Sequence, residues 1–140
     1  MFRKIMVPID LTHADRIGRA VDVATQLARQ WDAPITFVGA TASTPGPIAH
    51  NPQEYARKLA DYARGIGTDA GVRADSLALT LTDPAVELDH ALLDAARDME
   101  ADLVVMASHI PGMADRVWPS HGGKLARNAR ASVFVVRPEA

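Results

Sequence analysis

Two patterns of apolar residues alternate along the chain. The first is a short run of consecutive apolar residues, clearest at residues 103–106 and 133–136. Such runs are typical of strands that are covered on both faces of a parallel sheet. The pattern predicts five strands, at residues 4–9, 34–40, 76–82, 102–108 and 133–137.

The second pattern places apolar residues three or four positions apart, which is the spacing of one helix face. A first helix carries such a stripe from Ile17 to Trp31, with Thr12 as its candidate N-cap. A second helix runs from about residue 52 to residue 63, and three glycines after it are expected to end it. These glycines are Gly65, Gly67 and Gly71.

A third helix is expected to start at the cap residue Asp83, with Pro84 at the first helical position. A fourth covers about residues 121–129. Strands and helices therefore alternate. This order predicts an α/β fold, a doubly wound, Rossmann-like parallel sheet of five strands with helices on both faces and right-handed crossovers. Two connections, residues 41–51 and 109–120, are irregular and long for this class.

Composition narrows the class of protein. A chain of 140 residues, 48% hydrophobic and 23% charged, is expected to be one soluble globular domain over residues 1–140. Its net charge of −2 gives no general attraction to nucleic acid or to an anionic membrane. The absence of cysteine excludes a disulfide scaffold, a cysteine-ligated metal and a thiol nucleophile. No signal peptide or membrane-spanning run is apparent, so a cytoplasmic protein is expected.

In open α/β sheets, ligands bind beyond the carboxyl ends of the strands, where the strand order reverses. This rule selects residues 8–10, 40–43 and 107–120, which follow the first, second and fourth strands. The last segment leads into a helix start, whose free N–H groups can bind an anion. Glycines in and after it either allow close approach to a phosphate or only serve turns.

Asp10 has two interpretations. Its carboxylate can accept hydrogen bonds from a ribose or a base, or it can be a cap residue before the first helix. A single aspartate is not a metal site, because hard cations take several oxygen ligands. His109 and His121, with no third ligand in view, do not make one either. A phosphate-binding P-loop is excluded because Leu125 stands where Ser or Thr is required.

Four segments of the chain resemble the universal stress protein (UspA) family, and the resemblance covers the whole chain. The segments are Lys-Ile-Met-Val-Pro-Ile-Asp at residues 4–10, Thr-Asp-Pro-Ala at 82–85, Ala-Asp-Leu-Val-Val-Met-Ala-Ser-His at 101–109 and Val-Phe-Val-Val-Arg at 133–137. The resemblance implies a five-stranded parallel sheet in the order 3-2-1-4-5. It also implies binding of ATP or AMP, with or without Mg²⁺.

The family's nucleotide loop reads Gly-x-x-Gly, nine residues, then Gly-Ser or Gly-Thr, and this chain departs from it. Ala107 and Ile110 stand for the first two glycines, and Gly112 is displaced by two positions. Pro119 precedes Ser120 where the final glycine belongs. A branched residue is disfavoured at positive φ, and proline removes one N–H that a phosphate could use. The chain therefore resembles a subgroup with an altered loop.

The resemblance also implies the site residues. Adenine and ribose would contact the ends of the first two strands, residues of the fourth strand would line the floor, and the loop would face the phosphates. The nucleotide-binding residues are then Pro8, Ile9, Asp10, Ala40, Met106, Ala107, Gly112, Ser120, His121 and Gly122.

We therefore expect an adenine-nucleotide-binding module with a regulatory or stress-response role. No nucleophile, general base or metal cluster is evident, so ATP hydrolysis is expected to be slow at most. The apolar outer strand favours a homodimer through its edge, formed by Val133, Phe134, Val135 and Val136. The alternative is a family member that has lost nucleotide binding and acts as a dimeric interaction protein.

Overall fold

Strands and helices alternate in the part of the chain that the structure, a computed structural model, describes: residues 1–108 and 129–137. The predicted fourth helix falls almost wholly on residues 109–128, outside the described residues. The elements are β1 (Ile5–Pro8), a 3₁₀ helix (Leu11–Arg16), α1 (Gly18–Trp31), β2 (Ile35–Ala42), α2 (Pro52–Ala70), β3 (Ala74–Leu81), α3 (Pro84–Asp98), β4 (Leu103–Ala107) and β5 (Ser132–Val136).

The strands form one parallel sheet in the order β3-β2-β1-β4-β5, which confirms the predicted fold class. Ile5 of β1 pairs with Ile35 of β2 on one side and with Leu103 of β4 on the other. The chain adds β2 and β3 on one side of β1, and then crosses to add β4 and β5 on the other. The strand order therefore reverses at β1, and the carboxyl ends of β1, β2 and β4 meet at one edge.

Both faces of the sheet are covered by helices. Ile5 and Phe37 lie in a core shared with α1 and α2, whereas Met6 and Val104 lie in a second core with α3. Neighbouring side chains of a strand point to opposite faces, so a strand that is buried on both faces is apolar at every position. All four residues of β1 are buried for this reason.

The second helix is longer than its sequence predicted. It continues through Gly65 and Gly67 to Ala70, so the expectation that these two glycines end it is wrong. Gly67 lies where the helix approaches β3, and a Cβ there would stand 3.2 Å from the Ala74 Cβ. Only Gly71 ends the helix, with φ of 69° and an N–H that donates to the Gly67 carbonyl. Packing against β3 outweighs the low helix propensity of the internal glycines.

The start of the first helix also differs from the prediction. Asp10, not Thr12, is the cap residue, and its side chain caps a 3₁₀ helix that precedes α1. The α-helix itself begins at Gly18, and Ile17 before it has no side-chain cap. The predicted start of α3 is confirmed in position, with Asp83 before the helix and Pro84 first, but the Asp83 side chain makes no capping hydrogen bond.

None of the helices in the described part of the chain is long and apolar enough to cross a membrane.

Candidate functional site

A cavity of about 170 Å³ opens at the carboxyl edge of the sheet, between the ends of β1 and β2 and the start of α3. Its wall is mostly apolar and comes from all three elements, and Asp10 contributes its polar group. The lining residues are Ile9, Asp10, Val38, Ala40, Pro84, Leu88 and Leu92. An apolar wall with one placed polar group is typical of small-molecule sites.

A second cavity, of about 200 Å³, adjoins the first at Asp10, Ala40 and Pro84. Its other walls are Thr12, Tyr55 of α2, Thr41 and Ala42 at the end of β2, and residues 44–49 of the connection that follows β2. We call the two adjoining cavities the Asp10 cleft. The long connection noticed in the sequence is therefore a wall of this cleft.

Hydrogen bonds hold this connection in place. The Gly46 N–H donates to the Ala49 carbonyl over 3.0 Å, and the Lys58 ammonium donates to the Ile48 carbonyl. At its end, Asn51 caps α2, because its Oδ1 accepts from the Glu54 N–H over 2.7 Å. The wall of the cleft is thereby fixed to the helix that carries Tyr55.

Asp10 is oriented by its own neighbours. One carboxylate oxygen accepts from the Thr12 N–H over 3.1 Å, and the other lies 2.9 Å from the His13 Nδ1. The side chain is 35% exposed. A carboxylate has about four acceptor positions, so these two contacts leave room for hydrogen bonds from a ligand. Asp10 is thus a cap residue and also a polar group of the cleft.

The structure brings some of the predicted site residues together. Ile9, Asp10 and Ala40 line the cleft. Pro8 is buried one residue before Ile9 and pairs with Val38.

The β4 residues lie at the same edge of the sheet. Met106 is 1% exposed and packs in the α3 core, and Ala107 packs on the opposite face. The other predicted residues lie outside the described part of the chain. These are Gly112, Ser120, His121 and Gly122.

Sequence reasoning missed Tyr55 and Gly39. Tyr55 lies within the second predicted helix and has no predicted role, but its hydroxyl is buried without a hydrogen-bond partner among the described residues. Gly39 lies beneath it, and a Cβ at that position would collide with the hydroxyl oxygen. A glycine inside an apolar strand is a signal of close approach, and it could have pointed to this contact.

The electrostatics keep the Tyr55 hydroxyl protonated. Burial raises the pKa of Tyr55 well above its ordinary value of 10.0, and the charge of Asp10 raises the pKa further. Tyr55 is therefore a hydrogen-bond donor at neutral pH. Among the described residues, no three His, Asp or Glu side chains come together as metal ligands.

A model of the universal stress protein family matches residues 1–137 of the chain. The chain belongs to this family. The sequence resemblance is thereby confirmed at the family level.

Solved structures of universal stress proteins have the same fold. One, in complex with cAMP, has 21% sequence identity and a TM-score of 0.70, with 99% of each chain covered. The protein from Archaeoglobus fulgidus in complex with dAMP has 19% identity and a TM-score of 0.67, covering 95% of this chain and 96% of that one. A family protein from Arabidopsis thaliana with bound AMP has 15% identity and a TM-score of 0.65, covering 99% and 93%.

Proposed function

We propose that this universal stress protein binds an adenine nucleotide, AMP or ATP, in the Asp10 cleft, and acts in the cytoplasm as a regulatory module of a stress response. The observation that carries the proposal is the position of the cleft. It lies beyond the carboxyl ends of β1 and β2, beside the reversal of strand order, with an oriented carboxylate in an apolar wall.

In the proposed complex, adenine lies against the apolar wall that Ile9 and Ala40 share, and ribose lies near Asp10. Pro8, Met106 and Ala107 support the base and sugar from the ends of β1 and β4. Gly112 and the N–H groups of residues 120–122 face the phosphates, as the family resemblance implies. A Mg²⁺ ion, where ATP is the ligand, would be held chiefly by the phosphates.

The relatives support this choice of ligand class. Three universal stress proteins of the same fold were solved with cAMP, dAMP and AMP. All three ligands are adenine nucleotides, and they differ in the sugar and in the phosphate. Adenine is thus the part that the three complexes share, which agrees with an apolar cleft of modest size.

Isothermal titration calorimetry with AMP and with ATP tests the proposal. Saturable binding is expected, and Asp10→Asn should weaken it at least tenfold, because an amide keeps the cap but loses the charge that strengthens hydrogen bonds. Asp61→Asn is the matched control, since Asp61 is exposed on α2 and pairs with Arg64. The proposal fails when millimolar AMP and ATP both give no saturable heat.

The alternative is a member that has lost nucleotide binding and acts as a dimeric interaction protein. Ala107, Ile110 and Pro119, which replace glycines of the family loop, favour it. Mass spectrometry of ligand released from the purified protein separates the two. Released AMP or ATP contradicts the alternative, whereas ligand-free protein that also fails the titration supports it.

We also propose that the protein is a homodimer through the edge of β5. Phe134 is 46% exposed and Val135 is 41% exposed there, whereas Val133 packs partly and Val136 fully against the cores. An apolar strand edge of this kind favours pairing with a second copy.

Light scattering after size-exclusion chromatography should give a dimer, and Phe134→Lys should raise the dimer dissociation constant at least tenfold. Val86→Lys, an exposed apolar residue on α3, is the control and should leave the dimer intact. A monomer at all concentrations for the unaltered protein contradicts the proposal.

A further inference from the structure

The hydroxyl of Tyr55 is an unexplained polar group in the core. Tyr55 is 2% exposed, and its oxygen has no hydrogen-bond partner among the described residues. Leaving a buried hydroxyl without a partner is costly, and phenylalanine would fill the same space without that cost. The polar atom therefore calls for a hydrogen-bond partner that the described part of the chain does not supply.

The chain makes room for this hydroxyl. Gly39 has no Cβ, and a Cβ there would lie 3.2 Å from the Tyr55 Cζ and collide with the hydroxyl oxygen. Ile35 and Phe37, which precede it on that face of β2, have large side chains that fill the core. Glycine at this one position leaves the space that the Tyr55 hydroxyl occupies.

Tyr55 lines the cleft from α2. Tyr55 and Asp10 line the same 200 Å³ cavity, one offering a donor and the other a charged acceptor. A ligand atom between them must accept from the phenol and donate to the carboxylate.

We propose that Tyr55 is a ligand-binding residue whose hydroxyl donates a hydrogen bond to a ribose hydroxyl of the bound nucleotide. This inference rests on the proposed function. A sugar hydroxyl both accepts and donates, as the pair of Tyr55 and Asp10 requires. A phosphate would be repelled by Asp10, and adenine fits the apolar wall on the α3 side, where Val38 and Leu92 lie.

Titration calorimetry of two variants with three nucleotides tests the inference. The variants are Tyr55→Phe and, as the matched control, Tyr62→Phe on the same helix, which packs edge-on against Phe37. The ligands are AMP, 2′-deoxy-AMP and 3′-deoxy-AMP. Tyr55→Phe should weaken AMP about five- to tenfold, the usual effect of one neutral hydrogen bond, and Tyr62→Phe should leave it within twofold.

The deoxynucleotides identify the contacted atom. One of them should bind the unaltered protein about five- to tenfold more weakly than AMP, and Tyr55→Phe should weaken that one no further. The melting temperature of ligand-free Tyr55→Phe should be unchanged or higher, because an unpaired hydroxyl is removed. A lower melting temperature means that the hydroxyl has a structural role, and it overturns the inference.

Three further outcomes overturn it in distinguishable ways. Unchanged AMP affinity of Tyr55→Phe, with normal binding by the unaltered protein, removes Tyr55 from the site and leaves the proposed function standing. Equal weakening of AMP and both deoxynucleotides assigns the hydroxyl to the base or the phosphate. Failure of the unaltered protein to bind any of the three ligands overturns the proposed function, and this inference with it.

Discussion

Two ends of the sheet carry cavities, and the larger one is not the better candidate site. One cavity at the amino end, between α1 and the end of α2, measures about 610 Å³, against about 170 and 200 Å³ for the two parts of the Asp10 cleft. At the amino end, Arg29 donates to the Ala70 carbonyl over 2.9 Å, and Arg73 donates to the Asp32 carbonyl over 2.6 Å.

The two ends of the sheet differ in how far the polar groups of their cavities are already hydrogen-bonded. The arginines at the amino end bond to carbonyls at the ends of α1 and α2, where cations are favourable. In the Asp10 cleft, by contrast, Tyr55 has a buried donor without a partner among the described residues, and Asp10 keeps acceptor positions in reserve. Unmet hydrogen-bonding capacity, rather than volume, therefore distinguishes the candidate site.

The largest expected effect comes from closing the space beneath Tyr55. Gly39→Ala should lower the free energy of unfolding by about 1–3 kcal/mol, because a new methyl group in a packed core displaces the phenol. The same variant should weaken AMP binding at least tenfold. Denaturant unfolding and calorimetry measure the two effects.

Gly65→Ala is the control for this change. A Cβ at Gly65 meets nothing within 4 Å, so this variant should gain about 0.5–1 kcal/mol from helix propensity. Full stability and full binding of Gly39→Ala would show that the cleft does not depend on the placement of Tyr55.

The second-largest effect is a difference in AMP affinity between variants at the two ends of the sheet. Asp10→Ala should weaken AMP about 10- to 100-fold, the range for a hydrogen bond to a charged group. It should also cost about 1 kcal/mol of stability through the lost cap. Arg73→Ala removes the exposed contacts at the amino-end cavity and should leave AMP affinity within twofold. If Arg73→Ala is instead the variant that loses AMP binding, the nucleotide site is at the amino-end cavity and not in the Asp10 cleft.

The smallest effect concerns alkaline pH. The folded state raises the pKa of Tyr55, so the unfolded chain loses this proton first, near pH 10. Ionisation of Tyr55 therefore leaves the free energy of unfolding unchanged below pH 10 and lowers it as the pH rises above 10. Between pH 8 and pH 11, unaltered protein should therefore lose about 1 kcal/mol relative to Tyr55→Phe in urea unfolding. A difference that does not change with pH would show that the phenol ionises freely in the folded state.

Sequence alone predicted the architecture because the apolar runs of β1 and β4 have one simple cause, burial on both faces of a parallel sheet. It misjudged the end of α2, because contact with β3 outweighs the propensity of Gly65 and Gly67. Local sequence patterns do not show which tertiary contacts a helix will make.

The candidate site was predicted in part for a similar reason. The rule of the strand ends selects Ile9, Asp10 and Ala40, because it depends only on strand order. The rule does not select Tyr55, because Tyr55 lies on a helix that covers one face of the sheet. The position of its ring depends on the space above Gly39. Tyr55, on the apolar face of a helix, and Gly39, inside a strand, are 16 positions apart in the sequence. Their contact points to the site only once the fold has brought the two residues together.

The most direct test of the central claim is an AMP titration followed by backbone amide shifts in nuclear magnetic resonance. Binding in the Asp10 cleft should move the amide signals of Ile9, Asp10, Ala40 and Tyr55 along saturable curves with one dissociation constant, while those of Ala33, Gly71 and Arg73 at the amino-end cavity stay in place. Saturable shifts confined to the amino-end residues, or no saturable shift at either end, would contradict it.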